Sequence, residues 1–430
     1  TTRRWRSAAP QGRRAAEGEY QQWFLIDQAV DHSRHHSTKA HAQSQQHRQK
    51  QKGQTQTAVK TNTTNKSQSG SRARFAQRFL NLLSRNTTKP YYNANTFFVW
   101  EPCSRSHAEV VPGYCKLLLD AGYEVSVLME PKRIDEGLFS NFRHERLHIN
   151  RLSKRATQKF FKENGLASSS GILVTTVGKL TATADYEQAR GVFGPLKQDP
   201  RVLLVEHDIK KGADLGTLTS DIITLRKTDY KNSITTPVNP HYFGEFDPHQ
   251  KGAQVIFATV GAIRDKRRNS ELLISAVENL HRKGISNFTI LVIGKNKANT
   301  IPRHLRQYFL LLGRLSFLEL YKQIQSCDFI LPLLDPDKQA HRRYITTGTS
   351  GTFQLALGFQ KPVVLEQSFA PINKLNESNS VIYDGNSNFL IAMEKAITMT
   401  PDHYDSLQKA VAETARSIYA ESLENLKSLI

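Results

Sequence analysis

The feature that most restricts the fold is a recurring unit: a strand-length apolar run, a segment with helical apolar spacing, then another strand-length run. The first series holds Phe97-Phe98-Val99-Trp100, a helical pattern from Ala108 to Gly122 with Asp120-Ala121-Gly122 as its exit, and Tyr123 to Met129. Gly171 to Val177, Arg201 to Val205 and Ile222 to Leu225 continue it. A second series begins at Gln254: Val255 to Val260, an amphipathic segment Ser270 to Leu280, then Phe288 to Ile293. It continues with a helical piece around Leu305 to Leu311, a short strand before Gly313, a helix from Phe317 to Gln325 and a strand from Asp328 to Leu333. Short apolar runs with helical connections belong to parallel sheets covered on both faces. The pattern therefore predicts an α/β chain of two doubly wound, Rossmann-like domains facing a cleft. No short sequence repeat accompanies the duplicated architecture.

At 430 residues the chain accommodates two such domains and something more. The surplus lies at the start. Residues 1–90 carry 17 basic and 4 acidic side chains and so hold +13 of the formal net charge of +20. Within them the tract from His32 to Ser71 is almost free of apolar residues, so we expect a disordered basic tail. Its histidines are irregularly spaced and lack cysteine partners, which favours solvated low complexity over metal binding. Arg72 to Arg85 sets Phe75, Phe79, Leu80 and Leu83 at helical spacing among arginines, a pattern that fits either an anionic membrane surface or docking on the chain's own domain. The predicted organisation is thus a tail at 1–90 with an amphipathic helix at 72–85, domains at 91–240 and 241–400, and C-terminal helices at 401–430. Thr236-Pro-Val-Asn-Pro240 is the expected joint.

Cys103, Cys115 and Cys327 are too scattered for a disulfide framework or a zinc site, which points to a reducing compartment. No window approaches the roughly 18 apolar residues of a membrane-spanning helix. The expected location is cytoplasmic, with peripheral membrane contact as one use of the basic helix.

The polar residues of interest fall in the loops after the strands. Tyr344 to Glu366 places Thr346, Thr347, Gly348, Thr349, Ser350, Gly351 and Thr352 ahead of an apolar helical run and a strand. Such a loop opens a helix with unpaired N–H groups and little bulk, which suits a phosphate. Arg264, Lys266, Arg267, Arg268 and Lys295 are the cations expected at the same cleft, and guanidinium groups suit bidentate phosphate contacts. Asp335-Pro-Asp337 has the spacing of a metal-binding pair, but an acid-Pro-acid turn at a strand exit is commonplace, and we assign no metal. His207, between Glu206 and Asp208, is suited to orienting a hydroxyl or moving a proton, with His107 and Glu109 as further candidates.

Three segments in order give the second half a resemblance to the donor domain of family 4-like GT-B glycosyltransferases. Val260 to Asn269 with Leu272 to Ala276 is similar to that family's strand, glycine turn, basic residue and helix, and Arg268 stands at its phosphate-binding lysine. Leu312-Gly313, Leu320-Tyr321 and Ser326 to Pro332 are similar to the next segment, and Lys361-Pro-Val-Val364 closes the third. In the first half, His107-Ala-Glu109, Glu206-His207-Asp208 and Pro237 to Phe243 resemble the acceptor domain's motifs, without the glycines expected before Glu109. The resemblance implies a metal-independent, retaining transfer of sugar from a UDP- or GDP-sugar, with no further cofactor, to a saccharide or lipid-linked glycan. It places the catalytic candidates at His207, His107 and Glu109. Donor contacts fall to Arg264, Arg268, Lys295, Thr349, Ser350, Gly351 and Thr352. The family's two glutamates are replaced by Thr347 and Leu355. Two other readings stay open. One is a nucleic-acid-binding protein acting through its basic tail, although the folded part has no recognition motif and nucleic acid is not an expected partner. The other is a non-catalytic relative.

Overall fold

The computed structural model describes residues 89–102, 107–166, 168–176, 201–216, 218, 222–247, 249–261, 268–295 and 301–430. Residues 1–88 of the basic tail, with the amphipathic helix expected at 72–85, lie outside them. So do Cys103, Arg264, Lys266 and Arg267.

The first half contains β1 (Thr96–Trp100), α1 (Val111–Asp120), β2 (Glu124–Met129), α2 (Pro131–Asp135), β3 (Leu147–Arg151), α3 (Lys154–Asn164), β4 (Gly171–Val174), β5 (Val202–Glu206), α4 (Lys210–Leu215), β6 (Ile222–Thr224) and β7 (Thr236–Pro237). All seven strands pair in parallel, in the order β3-β2-β1-β4-β5-β6-β7. Every residue of β1 and β4 is buried, as their unbroken apolar sequences require of strands covered on both faces.

The second half contains β8 (Val255–Val260), α5 (Ser270–Arg282), β9 (Phe288–Ile293), β10 (Phe309–Gly313), α6 (Phe317–Ser326), β11 (Phe329–Ile330), α7 (Gln339–Thr346), α8 (Gly351–Gly358), β12 (Val364–Glu366), β13 (Val381–Tyr383), α9 (Phe389–Thr398) and α10 (Pro401–Lys427). Four strands pair in the order β10-β9-β8-β11, and β12 pairs with β13. A parallel bridge between Ile330 and Val363 joins the two groups. Both halves therefore follow the doubly wound order 3-2-1-4-5-6, with an added edge strand in the first. Helix starts are fixed locally: Asn269 caps α5, and Ser316 with Glu319 forms a capping box on α6. No helix among the described residues is long and apolar enough to cross a membrane.

Five segments differ from the sequence expectation. The helical piece around Leu305 to Leu311 stops early, because a 3-10 turn ends at Tyr308 and Phe309–Gly313 is β10, bonded to β9. Residues 339–346, expected as loop, are α7. The strands β3, β7 and β13 are additions to the expected set. Their sequences explain this: β3 reads LHINR, β7 has two residues within the proline joint, and β13 has three.

One hydrophobic cluster draws residues from both halves, beside a cluster belonging to each half alone. The connecting segment passes between helices at points where only glycine fits. A Cβ on Gly113 of α1 would lie 2.1 Å from the carbonyl oxygen of Pro240, and one on Gly358 of α8 would lie 2.4 Å from that of His241. Phe243 then stacks on Phe359, with ring centroids 5.5 Å apart. From the far end of the chain α10 returns to the first half: Tyr419 donates to Asp120 Oδ2 at 2.6 Å, and Asn425 Nδ2 to the Pro237 carbonyl at 2.8 Å.

Candidate active site

In doubly wound sheets the crevice lies beyond the carboxyl ends of the strands where strand order reverses. In the first half that edge is built on two buried glutamates. Thr175 and Thr176 donate their hydroxyls to Glu101 Oε2 at 2.6 and 2.8 Å, tying the exits of β1 and β4 together. Glu206, the last residue of β5, accepts the backbone N–H groups of His207 at 3.0 Å and Asp208 at 3.3 Å. The resulting turn projects His207, whose Nε2–H donates to the Thr175 carbonyl at 2.8 Å. A neutral ring so held carries its free lone pair on Nδ1.

The ring of His107 stands edge-on to that of His207, with centroids 4.3 Å apart. Burial, with the Arg343 charge added, lowers His107 to about 4. Burial, with His107 beside it, also lowers His207. Both imidazoles are neutral at pH 7, able to accept a proton or a hydrogen bond. Glu109 is half-buried, and desolvation, reinforced by the charge of Glu101, raises its carboxyl to about 8. Its Oε1 lies 3.3 Å from where a Cβ on Gly351 would sit, so it faces the start of α8 across the cleft.

On the other side, residues 347–350 lead into α8. Thr349 N–H donates to the His207 carbonyl at 3.2 Å and Ile209 N–H to that of Thr347 at 3.0 Å, while Asp208 and Gly348 form an antiparallel bridge. Ser350 caps the helix by accepting from Thr352 N–H. The backbone N–H groups of Ser350 and Gly351 have no partner among the described residues, and neither has the buried hydroxyl of Thr347. Arg268 is buried beneath this turn, with Nη2 donating to Val260 O at 2.8 Å and to Thr352 Oγ1 at 3.0 Å.

The structure thus brings His107, His207, Glu109, Thr349, Ser350, Gly351, Thr352 and Arg268 to one place. Lys295 is not tied to it: the residue is exposed just beyond β9, with no bond to the loop among the described residues. Arg264 lies outside the described residues. Asp335 of the acid-Pro-acid turn is engaged internally, accepting from Asn269 Nδ2 at 2.8 Å, Asn386 Nδ2 at 3.0 Å and Asp337 N–H at 2.9 Å. Its own N–H donates to His341 Nδ1 at 3.0 Å. Among the described residues no group of three or more His, Cys, Asp or Glu side chains is arranged to hold a metal ion.

Two cations of this cleft escape a reading of the sequence. Arg226, buried, donates to the carbonyls of Tyr344 at 3.2 Å and Gly348 at 2.8 Å. Arg343, in the last turn of α7, pairs with Asp208 at 3.3 Å. These contacts join positions more than a hundred residues apart, and no local motif marks them.

No family model matches the sequence, and no curated protein matches it at a significant level. The fold has distant likenesses among solved structures. Anabaena Alr3699/HepE, in complex with UDP and glucose, is 12% identical, with 77% of this chain and 99% of that one covered and a TM-score of 0.45. AviGT4, a glycosyltransferase involved in avilamycin A biosynthesis, is also 12% identical, with coverage of 77% and 98% and a TM-score of 0.46. S. aureus TarM, in complex with Fondaparinux, alpha-GlcNAc-glycerol and UDP, is 11% identical, with coverage of 63% and 58% and a TM-score of 0.40. Likeness at this distance carries no argument about chemistry, which rests on the residues of the cleft.

Proposed function

We propose that the chain is a glycosyltransferase that moves a sugar from a UDP- or GDP-sugar to a saccharide or lipid-linked glycan. The observation that carries this reading is one juxtaposition. The unpaired N–H groups of Ser350 and Gly351, at the start of α8, lie beside the Glu109 carboxyl, and the loop that leads into them is bonded to the backbone of His207, whose neutral ring packs on that of His107. When a glycosidic bond to a nucleoside diphosphate breaks, negative charge builds on the leaving phosphate. Fixed amides at a helix start stabilise such charge without reorganisation, and Arg268 is held against the same helix start through Thr352. His207, oriented by Thr175, offers Nδ1 to a sugar or acceptor hydroxyl. With Asp335 already accepting three hydrogen bonds, we assign charge stabilisation to amides and cations rather than to the acid-Pro-acid turn. The retaining course is the one the sequence resemblance implies.

Calorimetry of the full chain against UDP-, GDP-, ADP- and CMP-sugars, followed by assay for sugar release, tests the reading. Binding of a UDP- or GDP-sugar with slow hydrolysis is the expected result. If none of the four classes binds, the proposal fails. Binding without any hydrolysis or transfer would favour a non-catalytic relative.

A further inference from the structure

Arg343 is placed oddly for a surface arginine. It stands in the last turn of α7 with its side chain 47% exposed, and its guanidinium lies against the anion loop: a Cβ on Gly348 would come within 3.3 Å of Arg343 Nε. The guanidinium carbon sits 5.2 Å from the centre of the Tyr344 ring. Its only ionic partner among the described residues is Asp208, at 3.3 Å, and none of its five N–H donors makes a hydrogen bond to a described residue. Arg226, nearby, is differently placed. It is buried, and its Nη1 and Nη2 groups donate to the carbonyls of Lys227, Tyr344 and Gly348, while its buried Nε has no partner among the described residues. The loop beneath Arg343 contains the buried, unpartnered hydroxyl of Thr347 and the two unpaired amides that follow it. The backbone carbonyl of Arg343 accepts the N–H groups of Thr347 and Gly348, at 2.9 and 2.8 Å, so the backbone that carries the cation is tied to the loop.

We infer that Arg343 is a second cation for the donor's diphosphate, held beside the loop by Asp208 until a phosphate oxygen takes the carboxylate's place. This rests on the nucleotide-sugar reading and adds to it a contact that spans both halves of the molecule. A guanidinium with uncommitted donors gives a bidentate contact to phosphate that an ammonium does not. Because Asp208 belongs to the first half and Arg343 to the second, the exchange also links donor binding to the contact between the halves.

The test is titration of UDP, GDP and inorganic pyrophosphate into wild type, Arg343→Ala, Arg343→Lys and Asp208→Asn, with melting temperatures taken in parallel. Arg343→Ala should raise the Kd for the diphosphate that wild type binds by roughly 10- to 100-fold, the range for charge-assisted hydrogen bonds, and flatten its salt dependence. Arg343→Lys should recover part of the loss. Asp208→Asn should tighten binding by freeing the cation. If wild type binds a diphosphate and Arg343→Ala binds it equally well, Arg343 is not a ligand contact, while the glycosyltransferase reading stands. If Asp208→Asn weakens binding while its melting temperature is unchanged, the exchange is wrong. If wild type binds none of the three probes, both readings fall together.

Discussion

Two loops leave the second sheet a dozen residues apart and treat their polar groups in opposite ways. At 335–337 the buried carboxylate of Asp335 accepts from Asn269, Asn386 and the Asp337 backbone, and so ties together the exits of three strands. At 347–351 two amides and a hydroxyl have no partner among the described residues, with Arg268 below and Arg343 above. The first loop has the spacing of a metal-binding pair, although no metal is assigned to it, and its carboxylate is a structural joint. The second has a composition common to many helix caps, and its donors are open. Residue type alone does not separate the two cases; what separates them is whether the hydrogen-bonding capacity has been used.

Substitutions that exchange stability for binding would break this comparison. The largest effect is expected at the joint. Asp335→Ala leaves the buried amide of Asn269 and the half-buried one of Asn386 without an acceptor and should lower the unfolding free energy by about 3 kcal/mol, measured by denaturant titration. A loss below about 1 kcal/mol would mean that the carboxylate is not the joint it resembles. Next comes Arg268→Ala, for which we expect about a tenfold loss of nucleoside diphosphate affinity, near 1.4 kcal/mol, by calorimetry. An unchanged Kd would confine Arg268 to bracing Thr352.

The smaller effect is a pH profile. The carboxyl of Glu109 has a folded pKa of about 8, so it is protonated at pH 7 and gains a negative charge beside the start of α8 as pH rises through 8. A terminal phosphate is already fully ionised there. UDP or GDP affinity should therefore fall above pH 8, and Glu109→Gln should flatten that fall. The same shift has a sign for stability. The folded state holds this proton more tightly than the unfolded chain, so the contribution is present below the unfolded carboxyl pKa of 4.5 and is lost as pH rises to 8. His107 acts in the opposite direction. Its folded pKa of about 4 lies below the ordinary 6.5, so stability is lost as pH falls from 6.5 towards 4, and His107→Gln should reduce that loss.

Much of the fold was legible because buried parallel strands are written as unbroken apolar runs: Phe97 to Trp100, Gly171 to Val174 and Phe288 to Ile293 are examples. What was missed follows from the same rule. The outermost strand β3 carries His148, Asn150 and Arg151, whose polarity hides it. The helix α7 reads QAHRRYIT after a proline turn, and it buries only His341 and Tyr344. Strand-exit logic drew attention to 207, 268 and 349–352, because loops at that edge converge whatever their sequence. It could not pair Arg343 with Asp208 or saturate Asp335. Those outcomes depend on how two distant segments meet, and neither segment contains the information alone.

The central claim is that the start of α8 holds the donor's diphosphate. A crystal structure of the chain with UDP or GDP tests it most directly. The account predicts phosphate oxygens within about 3 Å of the Ser350 and Gly351 backbone nitrogens, with the Arg343 guanidinium turned from Asp208 onto the phosphate. A diphosphate bound at the 335–337 turn, or anywhere that leaves both amides without a ligand, would contradict it.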